Sequence, residues 1–267
     1  MIYLSKRALI SFDDLCPYQC KHCYTLDIPR NSKNRTINEL VKSLSSLEFD
    51  IVYVSQRREN FINPDSGITL CENIFERYKC NIFIITRNTF NKEHLERLHR
   101  LKNQMAAEGK YLFIGVSVFA THSYNLSENP GCVPSPYERI DFLKTLSDEG
   151  FYTVTLIRPV FPGNIIPIQE LYEIVDGCKN NLHNCVVSSG LAVNKNILWR
   201  LGINESNLAY ASNVRYLEGA MEGPLDFVNV SYELNLLKAY CVNHNVFFFD
   251  HTLSALNHLI KAASDGE

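Results

Sequence analysis

Short apolar runs alternate along this chain with stretches whose apolar residues recur at helical spacing. The runs at 8–12, 51–55, 81–86, 111–118, 152–158, 184–188 and 246–249 are rich in β-branched and aromatic residues and lack strict polar alternation. That pattern predicts strands covered on both faces, as in a parallel sheet. Helix starts are legible between them. Thr36-Ile37-Asn38-Glu39 and Ser135-Pro136-Tyr137-Glu138 have the form of capping boxes, in which hydroxyl and carboxylate satisfy backbone donors reciprocally. Each box precedes an apolar stripe, Leu40, Val41, Leu44 and Leu47 in the first and Ile140, Leu143 and Leu146 in the second. A third helix is expected from about Asn91, with Leu95, Leu98 and Leu101 inward, and Gly150 stops the second capped helix. No period is legible from 192 to 223; helical spacing returns at 225–240 and 253–260.

Repeated strand–helix–strand order calls for right-handed crossovers, and six or so such units close around one another. The expected fold is therefore α/β, a partial (β/α)6-type TIM barrel with a C-terminal strand–helix extension. Its chemistry is expected at the C-terminal ends of the strands. With 267 residues and 46% hydrophobic content the chain can bury one sizeable core, and no internal repeat or low-complexity linker divides it. A single domain is expected, with the core barrel at 7–190 and the extension at 191–267.

A formal net charge of −3 and a pI near 6.3 argue against a broad grip on nucleic-acid backbone, leaving room only for a local basic patch. Nine cysteines accompany no apolar leader and no apolar run long enough to span a bilayer. A reducing, cytoplasmic setting follows as the expectation, with no membrane partner and with thiols that serve metals or pack in the core.

Directly after the first predicted strand comes Cys16-Pro17-Tyr18-Gln19-Cys20-Lys21-His22-Cys23-Tyr24, a C-x3-C-x2-C spacing. Three thiolates within eight residues can bind three irons of a cubane, and the next cysteine, Cys71, is remote in sequence. One iron is then left open, which is what separates a catalytic metal centre from a structural one. Two other readings stand beside it. His22 would complete a zinc site, although adjacent residues seldom both point at one tetrahedral ion, and unligated thiols would simply pack. Cys71, Cys80, Cys178, Cys185 and Cys241 lie on or beside elements and read as small core residues; a second cluster from Cys178, Cys185 and Cys241 lacks any close cysteine pair.

The loop resembles that of the radical SAM superfamily, which has this spacing, this position after the first barrel strand, and commonly an aromatic residue or His before the third cysteine and Tyr after it. The resemblance implies a barrel of the radical SAM kind and a [4Fe–4S] cluster on Cys16, Cys20 and Cys23. It implies that the cluster cleaves S-adenosyl-L-methionine reductively, and that the 5′-deoxyadenosyl radical abstracts hydrogen from a substrate. His22 and Tyr24 would face the adenine, and a flavodoxin or ferredoxin would supply electrons. The stretch 128–163, ENPGCVPSPYERIDFLKTLSDEGFYTVTLIRPVFPG, is similar to the spore photoproduct lyase-like (DNA repair photolyase-like) branch, as is Ile84-Ile85-Thr86-Arg87. That likeness implies an enzyme of lyase or oxidoreductase type acting on a nucleoside, nucleotide or nucleic-acid base. The alternatives are a small metabolite or a peptide as substrate, or a non-catalytic iron–sulfur or zinc protein. Where the superfamily usually has an acidic or Gly-rich sequence after the second strand, this chain has Ser55-Gln56-Arg57-Arg58-Glu59-Asn60.

The strand ends supply further candidates. Ser55, Ser117 and Arg158 should face the barrel mouth, where hydroxyls and a guanidinium can hold the ribose and carboxylate of S-adenosylmethionine. Pro159 is expected to end the pairing of the fifth strand just past Arg158. Cys132, in the loop Pro130-Gly131-Cys132, is a candidate donor of hydrogen to a product radical; an incidental loop thiol is the competing reading. Asp250 and His251, after the run Phe247-Phe248-Phe249, are candidates for acid and base, against a helix-capping Asp with an exposed His.

Overall fold

The computed structural model describes residues 3–12, 16–27, 34–210 and 225–265. Seven strands form one sheet, and all of its pairings are parallel. They are β1 (Arg7–Ile10), β2 (Ile51–Val54), β3 (Asn81–Thr86), β4 (Leu112–Ser117), β5 (Tyr152–Val160), β6 (Asn184–Gly190) and, at the far edge beside β6, β9 (Phe247–Phe249). Their spatial order follows the chain. The two other strands, β7 (Ala192–Val193) and β8 (Asp226–Phe227), make a separate antiparallel pair.

Helices link the strands: α1 (Ile37–Ser43), α2 (Pro64–Tyr78), α3 (Lys92–Ala107), α4 (Pro136–Asp148), α5 (Ile168–Cys178), α6 (Lys195–Leu201), α7 (Ser231–Asn243) and α8 (Thr252–Asp265). Both predicted capping boxes form, with the side chains of Thr36 and Ser135 accepting from the backbones of Glu39 and Glu138. Helix α2 lay outside the predicted set although Asn63 caps it and Pro64 opens it. Its Gly67 is required by packing, since a Cβ there would lie 2.4 Å from the ring of Phe61. Helix α5 has no side-chain cap at Pro167 and so no start signal.

Successive strand residues alternate between two cores. Ala8, Val52, Ile82 and Ile114 pack with the helices on one face, whereas Tyr53, Phe83, Phe113 and Leu156 pack on the other with Leu256, Leu259 and Ile260 of α8. Burial on both faces removes the need for polar alternation, which is why these strands read as continuous apolar runs. Each such side chain contributes about 1.5–3 kcal/mol. Helix α8 packs against β6 and β9, and its Asn257 side chain bonds both the N–H and the carbonyl of Leu4, just ahead of β1. One helix therefore reaches both edges of the sheet.

Two expectations need correction. Pro159 does not end the pairing of β5, which continues to Val160 after a register irregularity past Ile157. The helical spacing read at 225–240 begins only at Ser231, because Leu225 and Val228 flank the short β8 and are buried there. Of the stretch 192–223, residues 192–210 form β7, α6 and a short 3-10 turn; 211–223 lie outside the described residues. No helix among the described residues is long and apolar enough to cross a membrane.

The loop after β4 is fastened to α5 by two carboxylates, of which Glu173 accepts the Thr121 hydroxyl and pairs with His122. Glu170 accepts the backbone N–H groups of Thr121, His122 and Ser123 and the Ser123 hydroxyl. Burial alone would raise its pKa, but these bonds outweigh burial and hold it below the usual carboxylate value of 4.5. The folded pKa being the lower one, this contribution is complete above about pH 4.5 and is lost as pH falls through the folded value. Glu170→Gln is expected to cost about 1–3 kcal/mol at pH 7, with the gap from wild type narrowing below pH 4.5. Urea midpoints of both proteins between neutral and acid pH check this; an unchanged gap would refute it.

Candidate functional site

The cysteine loop is held from two sides. Backbone N–H groups of Lys21 and His22 donate to the carbonyl and hydroxyl of Ser127, at 2.7 and 3.2 Å, and Asn129 donates to the carbonyl of Tyr18. From the other side Arg200 of α6 donates to the carbonyls of Lys21 and Cys23, both at 3.0 Å, and pairs with Asp27 at 2.5 Å. Asn194, the N-cap of α6, also binds Asp27. Inside the loop Gln19 takes a left-handed φ of +44°, and the Cys23 N–H returns to the carbonyl of Cys20 at 2.8 Å. Cys20 is buried and packs with Tyr18 and Val133; Cys16 and Cys23 are half-buried beside it.

A cavity of about 290 Å³ lies where the loop faces the C-terminal ends of the strands. Cys16, Cys20, Cys23, His22 and Tyr24 form one wall. The strand-end residues Ser55, Ser117 and Arg158 line it as well, and Ile85, Leu156 and Leu191 supply apolar surface. Ser55 has a left-handed φ of +74°, and its hydroxyl is turned back to accept the Asn60 N–H at 2.8 Å. The other candidates do not line this cavity. Cys132 is exposed in the turn after Gly131, and Asp250 and His251 are exposed in the bend that leads into α8. The residue of that turn which does reach a cavity residue is Thr252, whose hydroxyl accepts from Arg158 Nη2 at 2.9 Å.

Behind the loop lies a buried charge network. Glu128, fully buried, takes both terminal nitrogens of Arg139 on its two oxygens and Nε of Arg87 on one of them at 2.9 Å. Arg139 also donates to the carbonyl of Ser117 at 2.6 Å, so the end of β4 is tied to α4. Arg87, just past the end of β3, points Nη2 at His22 Nε2, and its backbone N–H donates to Glu59 at 2.7 Å. Burial alone would lower the Arg87 pKa, but Cys20, Glu128, Cys23 and Glu59 outweigh that and keep the guanidinium charged.

This network sets the state of the loop. Burial, then the charges of Arg87, Arg200 and Arg139, hold His22 well below its usual pKa, so the imidazole is neutral. Its Nδ1 contacts the Ser127 hydroxyl, and its ring sits edge-on to Phe119. Both imidazole nitrogens thus have protein neighbours. Burial raises Cys16 and pushes Cys20 up to about 12, with Arg87 opposing the rise at Cys20. As the side chains stand, no three Cys, His, Asp or Glu residues among the described residues form a group that would hold a single metal ion. The donors on the cavity wall are three thiols with no free imidazole beside them.

Arg87 lies in the quoted Ile84-Ile85-Thr86-Arg87, and Glu128 and Arg139 both lie in the quoted stretch 128–163, but no local pattern showed that the three meet. Arg200, Asp27 and Thr252 had no local signal at all. No protein-family model matches the chain, and no curated protein matches it.

Glu128 neutralises two guanidinium groups, one of them fully buried. Its replacement by Leu leaves the fully buried Arg139 without its carboxylate and strips Arg87 of its ion-pair partner, and is expected to cost about 3–5 kcal/mol of stability. Chemical denaturation measures this, and a loss under about 1 kcal/mol would show the network to be incidental.

Proposed function

We propose that the chain is a radical S-adenosylmethionine enzyme. The observation that carries the proposal is that the three thiols of the C-x3-C-x2-C loop share one wall of a cavity at the C-terminal ends of parallel strands. The donor set fits a cubane better than zinc, because the adjacent imidazole is neutral and engaged by Ser127 and Arg87. A cubane carries each thiolate on a different iron, so thiols that serve it need not converge on one point as the ligands of a single ion do. The sequential parallel order of the sheet, with α8 reaching both edges, supports a partial barrel of the (β/α)6 type, the fold this chemistry needs.

Cys16, Cys20 and Cys23 would hold a [4Fe–4S] cluster with one open iron, which when bound would supply the electron for reductive cleavage of S-adenosylmethionine and hence the radical that abstracts hydrogen from the substrate. The protein's own part is to hold, orient and keep dry. Arg87 places positive charge beside Cys20, which favours its thiolate form against the burial that raises its pKa. Tyr24 and His22 offer the adenine a surface within the loop, and Ser117 offers a hydroxyl to the ribose. Arg57, whose charge reaches Tyr24, suits the methionine carboxylate on the cysteine side. Ile85, Leu156 and Leu191 exclude water from the reacting C–H bond. A cytoplasmic flavodoxin or ferredoxin is the proposed reductant, and a nucleoside, nucleotide or nucleic-acid base the proposed substrate.

Anaerobic reconstitution followed by iron and sulfide analysis tests this. About four irons per chain are expected, lost in Cys16→Ala, Cys20→Ala and Cys23→Ala, each of which should also abolish release of 5′-deoxyadenosine. Replacement of Cys71, Cys80, Cys178, Cys185 or Cys241 by Ala, all buried away from the loop, should leave the iron count unchanged. Full iron in all three loop variants would overturn the assignment. Iron without 5′-deoxyadenosine would favour a non-catalytic cluster.

A further inference from the structure

The arginines in and around the cavity differ in one respect. Arg87 and Arg139 share Glu128, and Arg200 is paired with Asp27. Arg158 has no carboxylate partner among the described residues: it donates to the Thr252 hydroxyl through Nη2, and its Nε is buried with no acceptor. Its surroundings add positive charge. Arg7 is the cationic neighbour, and Thr252 opens α8, whose N-terminus is the positive end of the helix dipole. Tyr53 supplies no anion, since burial pushes its phenol up to about 12. Burial, with Arg7 adding to it, lowers Arg158 to about 10, which still leaves the guanidinium charged at neutral pH. Arg158 is half-buried with its Nε fully covered; a cation so placed with no counter-ion among the described residues is costly, and this one stands on the wall of a cavity an anion can enter.

We propose that Arg158, steadied by Thr252, is an oxyanion subsite for the substrate, which therefore carries a carboxylate or a phosphate. Assigning the subsite to substrate rather than to S-adenosylmethionine rests on the function proposed above. The thiols stand on the loop after β1, which is clamped to Ser127 and to Arg200, whereas Arg158 stands on β5 and bonds Thr252 at the start of α8. A methionine carboxylate anchored beside the thiols lies at the other end of the cavity, and the guanidinium of Arg158 is left for a second ligand.

The test uses the full chain in two arms. Without added iron, thermal unfolding and calorimetric titration are run with inorganic phosphate and with malonate as probes. One or both should bind the wild type and raise its Tm. Arg158→Met should unfold at a higher temperature than wild type when no anion is present, because it removes an uncompensated buried charge, and should bind the probe at least about tenfold more weakly. Arg158→Lys should fall between them, having the charge but not the planar fork. In the second arm, on reconstituted protein, Arg158→Met should keep its affinity for S-adenosylmethionine within about twofold, a change too small to represent a lost charged hydrogen bond. The proposal is overturned if neither probe binds wild type, if Arg158→Met binds equally well, or if that variant lowers Tm, which would mark a structural residue. A loss of about tenfold or more in S-adenosylmethionine affinity would also overturn it, by giving the guanidinium to the cofactor's carboxylate. Failure to assemble iron at all sinks the radical reading alone, and the anion arm then decides the subsite without it.

Discussion

One carboxylate with a guanidinium on either side organises the working end of this molecule. Glu128 sits between Arg139 on α4 and Arg87 at the end of β3, and Arg139 continues to the carbonyl that ends β4. The ends of β3 and β4, the loop that follows β4 and the first turn of α4 are thereby locked together. Burying ions is unfavourable unless geometry is good and the remaining donors are satisfied, so this arrangement is better read as fixing position than as supplying stability. What it fixes is the back wall of the cavity. Burial, with the same guanidinium groups adding to it, holds the His22 imidazole neutral, and the burial of Cys20 is opposed by the charge of Arg87.

The sheet determines what such a rim can reach. Because every strand runs the same way, all their C-terminal ends fall on one side, and side chains far apart in the chain, such as Ser55, Ser117 and Arg158, meet around a single space. Both faces of the sheet are covered, one by the connecting helices and the other in part by α8, so the space at the rim has firm walls. The two ends of that space differ in character. Towards the loop it is lined by thiols with Arg87 behind them, and towards α8 by a lone guanidinium and a hydroxyl. A site polarised in this way distinguishes the two ends of an elongated ligand or separates two ligands.

The fold was legible in the sequence to the extent that burial is two-sided. All seven strands of the large sheet were visible as apolar runs, and β3 matches its prediction residue for residue. Helices announced by hydroxyl–carboxylate boxes were visible too, whereas α5, capped by nothing, was not. Helix α2 carried signals in Asn63 and Pro64 and in the apolar stripe Ile68, Cys71, Ile74 and Phe75, but a glycine in its first turn interrupts the pattern at the start. For the site, a local motif brought the three thiols, His22 and Tyr24 to one wall, and strand-end logic added Ser55, Ser117 and Arg158. The turn before α8 misled: its charged residues face solvent while its threonine faces Arg158. Contacts such as Arg200 to Cys23, 177 residues apart, had no signature because nothing in either local stretch demands the other.

That last contact has a consequence for how the chain comes into being. The guanidinium that clamps the thiol loop is made 179 residues after the carbonyl of Lys21 it binds. At typical rates of elongation this interval is on the order of ten seconds or more. Throughout it the three sulfurs belong to a segment without its second brace, open to oxidants and to stray metal. The nascent molecule therefore has a window of chemical vulnerability that closes only when α6 docks, after β1 to β6 of the sheet have been made.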